Sequence, residues 1–211
     1  MTDSTEMKSA PGRRKWIGGY DPPRTRRALV DSALGLFEKD GFYRTSLQEI
    51  VDGAGLTKGA FYHHFNSKED VLWEIQNEYL DVQIQAANSI LSRHQGDCVD
   101  LLRELIRLSL NGVAEYRAHV LIFYQERRHL TGERLKIITE KRDTRVQLFR
   151  ETIRRGIEDG TFKPDTNATI AAFGILGMCA LAVQWFDPNG TLTIDDVADQ
   201  FCDLVLDGLL S

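Results

Sequence analysis

The sequence predicts an all-α protein, with a small three-helix unit at the N-terminal end and a larger helical domain after it. Two observations predict this. Apolar side chains recur at the i, i+3, i+4, i+7 spacing of a helix along most of the chain, and no window alternates apolar and polar residues as a half-buried strand would. Gly, Pro and Asn-Gly breaks separate these stretches, several of them beside a Ser, Thr or Asn able to cap the next helix. At 211 residues the chain is long enough to bury a substantial core.

Residues 1–23 carry Pro11, Gly12, Gly18, Gly19, Pro22 and Pro23 with little periodic pattern, which predicts a disordered arm. Arg13, Arg14 and Lys15, with Arg24, Arg26 and Arg27 just beyond, make it basic. Such an arm either reaches a polyanion or is a solvated tail. From Thr45 the signals sharpen. Leu47, Ile50, Val51 and Ala54 form one apolar face, and Thr45 with Gln48 reads as a capping box, so a helix is expected over 46–54. Gly55 stands where a C-terminal cap needs positive φ, Leu56 anchors a tight turn, and Thr57 can cap a further helix.

On that next helix Ala60, Phe61, His64 and Phe65 share one side, while Lys58, Tyr62 and His63 share the other. Helix, short Gly-containing turn, helix is the helix-turn-helix pattern. Ammonium, phenol and imidazole groups suit phosphate oxygens and base edges, and Gly59 lets a backbone approach closely. His63 and His64 are adjacent and point about 100° apart on a helix, whereas helical metal pairs use i, i+4 spacing, so no metal site is expected. Ser67 is a plausible N-cap for a following helix, with Asp70 at its third position and Lys68 beside it.

The stretch from Arg24 to Leu72 resembles the DNA-binding domain of the TetR family of bacterial transcriptional regulators. The likeness rests on Phe37-Glu38-Lys39-Asp40-Gly41-Phe42, Thr45, Ile50, Ala54-Gly55-Leu56-Thr57-Lys58-Gly59, Tyr62-His63-His64-Phe65 and Lys68. Val51 and Thr57 are conservative departures from a common form of the family. The resemblance implies a DNA-binding domain over 24–68, with Thr45, Thr57, Lys58, Gly59, Tyr62, His63 and Lys68 touching a double-stranded DNA operator, mostly at phosphates. It implies an effector-binding and dimerisation domain over 69–211.

Charge agrees with that division. The chain carries a net −5, but residues 1–68 hold 11 Lys and Arg against 8 Asp and Glu, leaving −8 for the rest. Cys98, Cys179 and Cys202 are far apart with no Cys-x-x-Cys pattern, and read as small apolar residues of a reducing cytoplasm. Met1 to Ala10 is polar, and the stretch 168–183 falls short of the ~20 residues a membrane span needs, so no membrane partner is expected.

The remaining elements are all helical. A long helix is expected over 68–93, with Val71, Leu72, Ile75, Tyr79, Val82 and Ala86 on one stripe, then a break at 92–97. Helices follow over 98–116, 119–130 and 133–159, where Gly160 ends the run, and over 167–186 after Pro164. Asp187-Pro188-Asn189-Gly190 is a turn, and Thr193 with Asp196 opens a last helix to Leu210.

The last two helices are apolar over more of their surface than one small domain covers. Ala171, Gly174, Leu181 and Trp185, with Val197, Phe201, Leu204, Val205 and Gly208, are the expected homodimer face. Burial within the monomer is the alternative. Two recognition helices held about one turn of DNA apart would read a pseudopalindrome, and a ligand that rocks the helix 68–93 would change their spacing.

Candidate effector contacts are Leu105, Ser109, Tyr116, Phe123, Tyr124, Arg127, Phe149, Phe173, Met178 and Trp185. Arg127, Arg128 or Arg145 suits a ligand carboxylate or phosphate; the alternative is a solvated helix end paired with Glu126 and Glu133. Tyr124-Gln125-Glu126 and the run from Trp185 to Thr193 are similar to TetR-like regulators that respond to acyl-CoA thioesters. In one such subgroup an Arg and a Trp on the penultimate helix hold the ligand, where this chain has Leu176 and Ala180. The effector is thus expected to be an acyl-CoA or another hydrophobic ligand, with a planar aromatic or cationic drug-like molecule as the alternative, and no cofactor is expected. Two other classes compete: a helical adaptor that does not bind DNA, and an enzyme using Ser109, His119 or His129. No Gly-x-Ser-x-Gly elbow, phosphate loop or dinucleotide fingerprint occurs in the chain to favour the enzyme.

Overall fold

The computed structural model describes residues 22–210. Among these, nine α-helices and one 3-10 turn account for the regular structure, with one isolated antiparallel bridge between Phe162 and Leu210. Most of the predicted arm lies outside the described residues. Pro22 and Pro23 do not belong to it: they open α1 (Pro22–Asp40), where the first helical N–H groups have no intrahelical partner and their loss costs little.

α2 (Leu47–Gly53) and α3 (Lys58–His64) complete the N-terminal unit. The α2 cap sits one residue later than the sequence pattern suggested. Ser46 Oγ accepts from Glu49 N at 3.2 Å while Ser46 N donates to Glu49 Oε2 at 2.7 Å. Gln48 bonds to Asp52 instead. Gly55 has φ +66°, the left-handed conformation needed to turn the chain, and Thr57 Oγ1 accepts from Ala60 N to start α3. Ile50, Val51, Phe61 and Phe65 are buried against Leu29, Val30, Ala33 and Phe37 of α1.

α4 (Lys68–Arg93) leaves this unit and runs into the second domain. Arg26 forms a bidentate pair with Glu74, one arm at 2.9 Å, and Arg27 reaches Glu78 at 2.6 Å, tying α1 to α4. The buried face of α4 keeps Val71, Leu72, Ile75 and Tyr79 of the apolar stripe read from the sequence and departs from it beyond Tyr79. Val82 and Ala86 are half-exposed, while Gln76 and Gln83 are buried beside Leu72, Tyr79, Leu80 and Ala87. A 3.6-residue period carries the face through 76, 80, 83 and 87, and packing put two amides inside it.

The second domain stacks α5 (Cys98–Glu115), α6 (Arg117–Glu126), α7 (Gly132–Glu158), α8 (Ala168–Trp185) and α9 (Ile194–Leu209) around α4. α5 is central, touching α4, α7, α8 and α9, and α7 lies between α4 and α8. α6 starts two residues earlier than predicted and stops at Glu126. Arg127–His129 then form the 3-10 turn before α7. α6 also packs on α1, so it joins the two domains. The predicted cap of α9 is present, with Thr193 Oγ1 accepting from Asp196 N at 3.1 Å.

Candidate nucleic-acid interface and ligand cavity

α3 sorts its residues by side. Phe61 is fully buried and holds the helix down, whereas Thr57, Lys58, Gly59, Tyr62 and His63 are exposed, Tyr62 at 58%. A large aromatic left this open, one turn from a lysine, is a contact surface in waiting. Burial, with Arg26 and His63 alongside, pushes His64 below the ordinary imidazole value and favours its neutral form at pH 7.

Two of the residues assigned to the same face by resemblance are turned inward. Thr45 is 2% exposed, and its hydroxyl donates to Gly41 O at 2.9 Å. Lys68 Nζ donates to Phe42 O at 2.6 Å and Thr45 O at 2.8 Å, lies 3.4 Å from Tyr43 O, and sits over the Phe42 ring. Its three protons are spent on the α1–α2 loop, which needs them because those carbonyls lie beyond the end of α1. Both residues therefore position α2 and α3 from behind.

The same loop is held from the second domain. Glu126 Oε1 accepts from Phe42 N at 3.2 Å, and Glu126 Oε2 lies 3.0 Å from His129 Nε2. His129 stacks on Phe42 at 5.2 Å between centroids and meets the Tyr43 ring edge-on at 4.3 Å. The sequence offered Glu126 only as a partner for nearby arginines and His129 only as an enzyme candidate, and neither as a link between the two domains.

A cavity of about 260 Å³ lies among α4, α6, α7 and α8. Its wall contains Phe123, Tyr124, Arg127 and Phe173 from the sequence-derived set, with Leu80, Val146, Leu176 and Gly177. Arg142 and Arg145 add two more guanidinium groups. Others of that set lie elsewhere. Leu105 and Phe149 are sealed in the core, and Met178 is half-buried off the cavity. Tyr116 packs on Tyr79 and His119. Ser109 is buried, donating to Leu105 O and accepting from Arg145 Nη2 at 3.0 Å. Trp185 lies tilted against Phe201, 6.1 Å between ring centroids, at the far end of α8. Leu176 lines this cavity and Ala180 a neighbouring one of about 270 Å³ that shares Tyr124 and Gly177 with it.

The outer face of α8 and α9 is apolar and open. α8 has mean hydropathy 1.7, yet only 33% of it is buried. Leu181, Trp185 and Leu204 are at least half exposed, Gly174 and Gly208 are exposed, and Ala171, Phe201 and Val205 are half-buried. Val197 is the exception among the predicted interface residues. It is 4% exposed, on an α9 that packs against α5, and is core rather than surface.

Ser109 has a carbonyl and an arginine as partners, neither able to take its proton. Among the described residues no three metal-ligating side chains cluster. The cysteines are separate and buried, and burial pushes the Cys179 thiol up to about 12, which leaves it without thiolate at neutral pH.

Comparison with known proteins agrees with this architecture. Residues 29–75 match the family described as bacterial regulatory proteins, tetR family, and residues 95–209 the tetracyclin repressor-like C-terminal domain. The HTH-type transcriptional repressor KstR2 of Rhodococcus jostii is 32% identical over 187 residues, covering 88% of this chain and 91% of the relative. Among solved structures, the ketosteroid transcriptional regulator KstR2 of Mycobacterium tuberculosis superposes with a TM-score of 0.81 at 28% identity, over 88% of this chain and 95% of that one. AibR in complex with isovaleryl coenzyme A and operator DNA gives 0.78 at 29% identity, over 85% and 97%. With both halves matched in order, this chain belongs to the TetR family of bacterial transcriptional regulators.

Proposed function

We propose that this protein is a cytoplasmic homodimeric repressor that binds a pseudopalindromic operator and is released from it by a small hydrophobic effector. The observation that carries the reading is the division of α3: Phe61 anchors it while Lys58, Tyr62 and His63 stand outward. Thr57 and Gly59 border those groups, and Thr45 and Lys68 support them through the α1–α2 loop. KstR2 relatives are named repressors, and the AibR neighbour holds an acyl-CoA and operator DNA together, which supports an acyl-CoA or other hydrophobic ligand.

The exposed face of α8 and α9 supports the dimer. Asp195, Asp199, Asp203 and Asp207 run along α9 beside Leu204, and a lipid bilayer would not accept carboxylates at that density. A second copy covers the apolar strip and leaves the acids at its rim. Coupling follows the chain: Phe123, Tyr124 and Arg127 line the cavity, while Glu126 and His129 grip the loop that sets α2 and α3. A ligand that favours a different setting of residues 126–129 shifts the spacing of the two recognition helices.

Selection of bound sites from random duplex tests this directly. Recovered sequences should be pseudopalindromes with half-sites about one turn apart, and affinity should fall steeply with salt. Failure to retain any duplex would leave the adaptor reading standing in its place.

A further inference from the structure

The cavity wall holds three arginines and no carboxylate opposite two of them. Arg142 is neutralised by its neighbour, with Asp143 Oδ1 at 2.6 Å from Nη2. Arg145 is different. It is 9% exposed, and its guanidinium donates to the Ser109 hydroxyl at 3.0 Å and lies near the phenol of Tyr79, both neutral. The Arg127 guanidinium has no hydrogen bond or ion pair among the described residues, and the acids that might have served it are taken: Glu126 by Phe42 and His129, Glu133 by Lys136. A buried guanidinium without an anion is costly, and the usual remedy is a paired charge.

We infer that the effector is a compact apolar carboxylic acid whose carboxylate is received inside the cavity by Arg145 and Arg127. This rests on reading the cavity as the effector site. Phe123, Tyr124, Phe173 and Leu176 supply the apolar wall for its body. A space of about 260 Å³ is of the size of a fused two-ring body, and a free acid offers the two arginines a full charge where a thioester offers a neutral carbonyl. The α8 side of the wall, Phe173, Leu176 and Gly177, is uncharged, which leaves charge recognition to Arg127 of the 3-10 turn and Arg145 of α7. Planar bidentate pairing suits a carboxylate to a guanidinium.

The test uses the full chain and a panel of rigid aryl and alicyclic acids of the size of 2-naphthoate, each with its primary amide and its coenzyme A thioester. Thermal shift ranks the panel, and calorimetry gives Kd for the best members. Acids should bind at least about tenfold more tightly than their amides, and Arg127→Gln or Arg145→Met should remove that advantage. Arg127 is half-exposed, so its variant remains decisive if Arg145→Met does not fold. Binding of amides or thioesters as tight as that of the acids, no acid binding, or an unchanged preference in Arg127→Gln overturns the assignment. Operator titrations on the same samples separate the two readings. Release by thioesters alone refutes the acid and keeps the regulator, whereas acid binding without operator binding does the reverse.

Discussion

Replacing Glu126 by Ala should weaken the joint between the cavity and the DNA-facing helices. The carboxylate is buried at 8% exposure, accepts from Phe42 N at 3.2 Å, and faces His129 Nε2 at 3.0 Å. Truncation leaves a buried N–H without an acceptor and frees His129 from the contact that holds it against Phe42. An orphaned buried donor costs about 1–3 kcal/mol, and taking ~2 kcal/mol with the 2–4 °C per kcal/mol of chains this size gives a Tm lower by about 4–8 °C. Glu126→Gln keeps an acceptor for Phe42 N and should recover at least half of that loss. Thermal melts measure the stability, and operator titrations with and without the tightest acid of the panel measure release. The Ala variant should bind that acid with near-normal Kd yet release operator poorly. Wild-type melting together with wild-type release would show that the contact transmits nothing.

Lys58→Ala should leave Tm unchanged while reducing the slope of log affinity against log salt by about 1, as expected of a phosphate contact. Lys68→Met should instead lower Tm by several degrees, because its ammonium serves the carbonyls of Phe42 and Thr45; a salt-slope change without a Tm change would reverse the two roles. Trp185→Asp places a charge on the open face of α8 and should convert a dimer to monomer in sedimentation, so a persistent dimer would move the interface elsewhere. Burial holds His119 below its ordinary value, with Glu78 opposing, so the unfolded chain takes the proton first. Its contribution to stability is therefore present above about pH 6.5 and lost as pH falls through and below it, and the Tm of His119→Gln should fall less than wild type between pH 7 and 5. Parallel Tm profiles would refute that assignment.

The helix-turn-helix was legible because its signals are local: Gly55 with positive φ, the Thr57 cap and the Phe61 anchor need no distant partner. The cap of α2 slipped by one residue because Thr45 and Ser46 carry equivalent hydroxyls. Only the α1–α2 loop, which takes the Thr45 hydroxyl at Gly41 O, decides between them. The inward turn of Lys68 was illegible for the same reason, since its acceptors lie 23 to 26 residues earlier. Gln76 and Gln83 escaped because a search for apolar periodicity passes over buried amides. Val146, Leu176 and Gly177 of the cavity wall, on α7 and α8, carry no polar group that would mark them in the sequence. Tertiary packing alone brings them to Tyr124.

Magnitudes favour residues 126–129 over the rest of the domain boundary as the point where ligand acts. A hundredfold loss of operator affinity needs about 2.7 kcal/mol of differential binding. The exposed pair of Arg27 with Glu78 is worth at most about 1 kcal/mol, so loosening α1 from α4 there falls short. The buried Glu126 contact, at about 2 kcal/mol, is of the required size. It also adjoins the short 3-10 turn Arg127–His129, which links α6 to α7. An anion that draws Arg127 into the cavity pulls on that turn, and Glu126 and His129 are its two ends. Coupling of this kind is reciprocal, so operator DNA should weaken acid binding by the same factor that the acid weakens operator binding. Unequal factors in the two titrations would mean that some other state of the dimer intervenes.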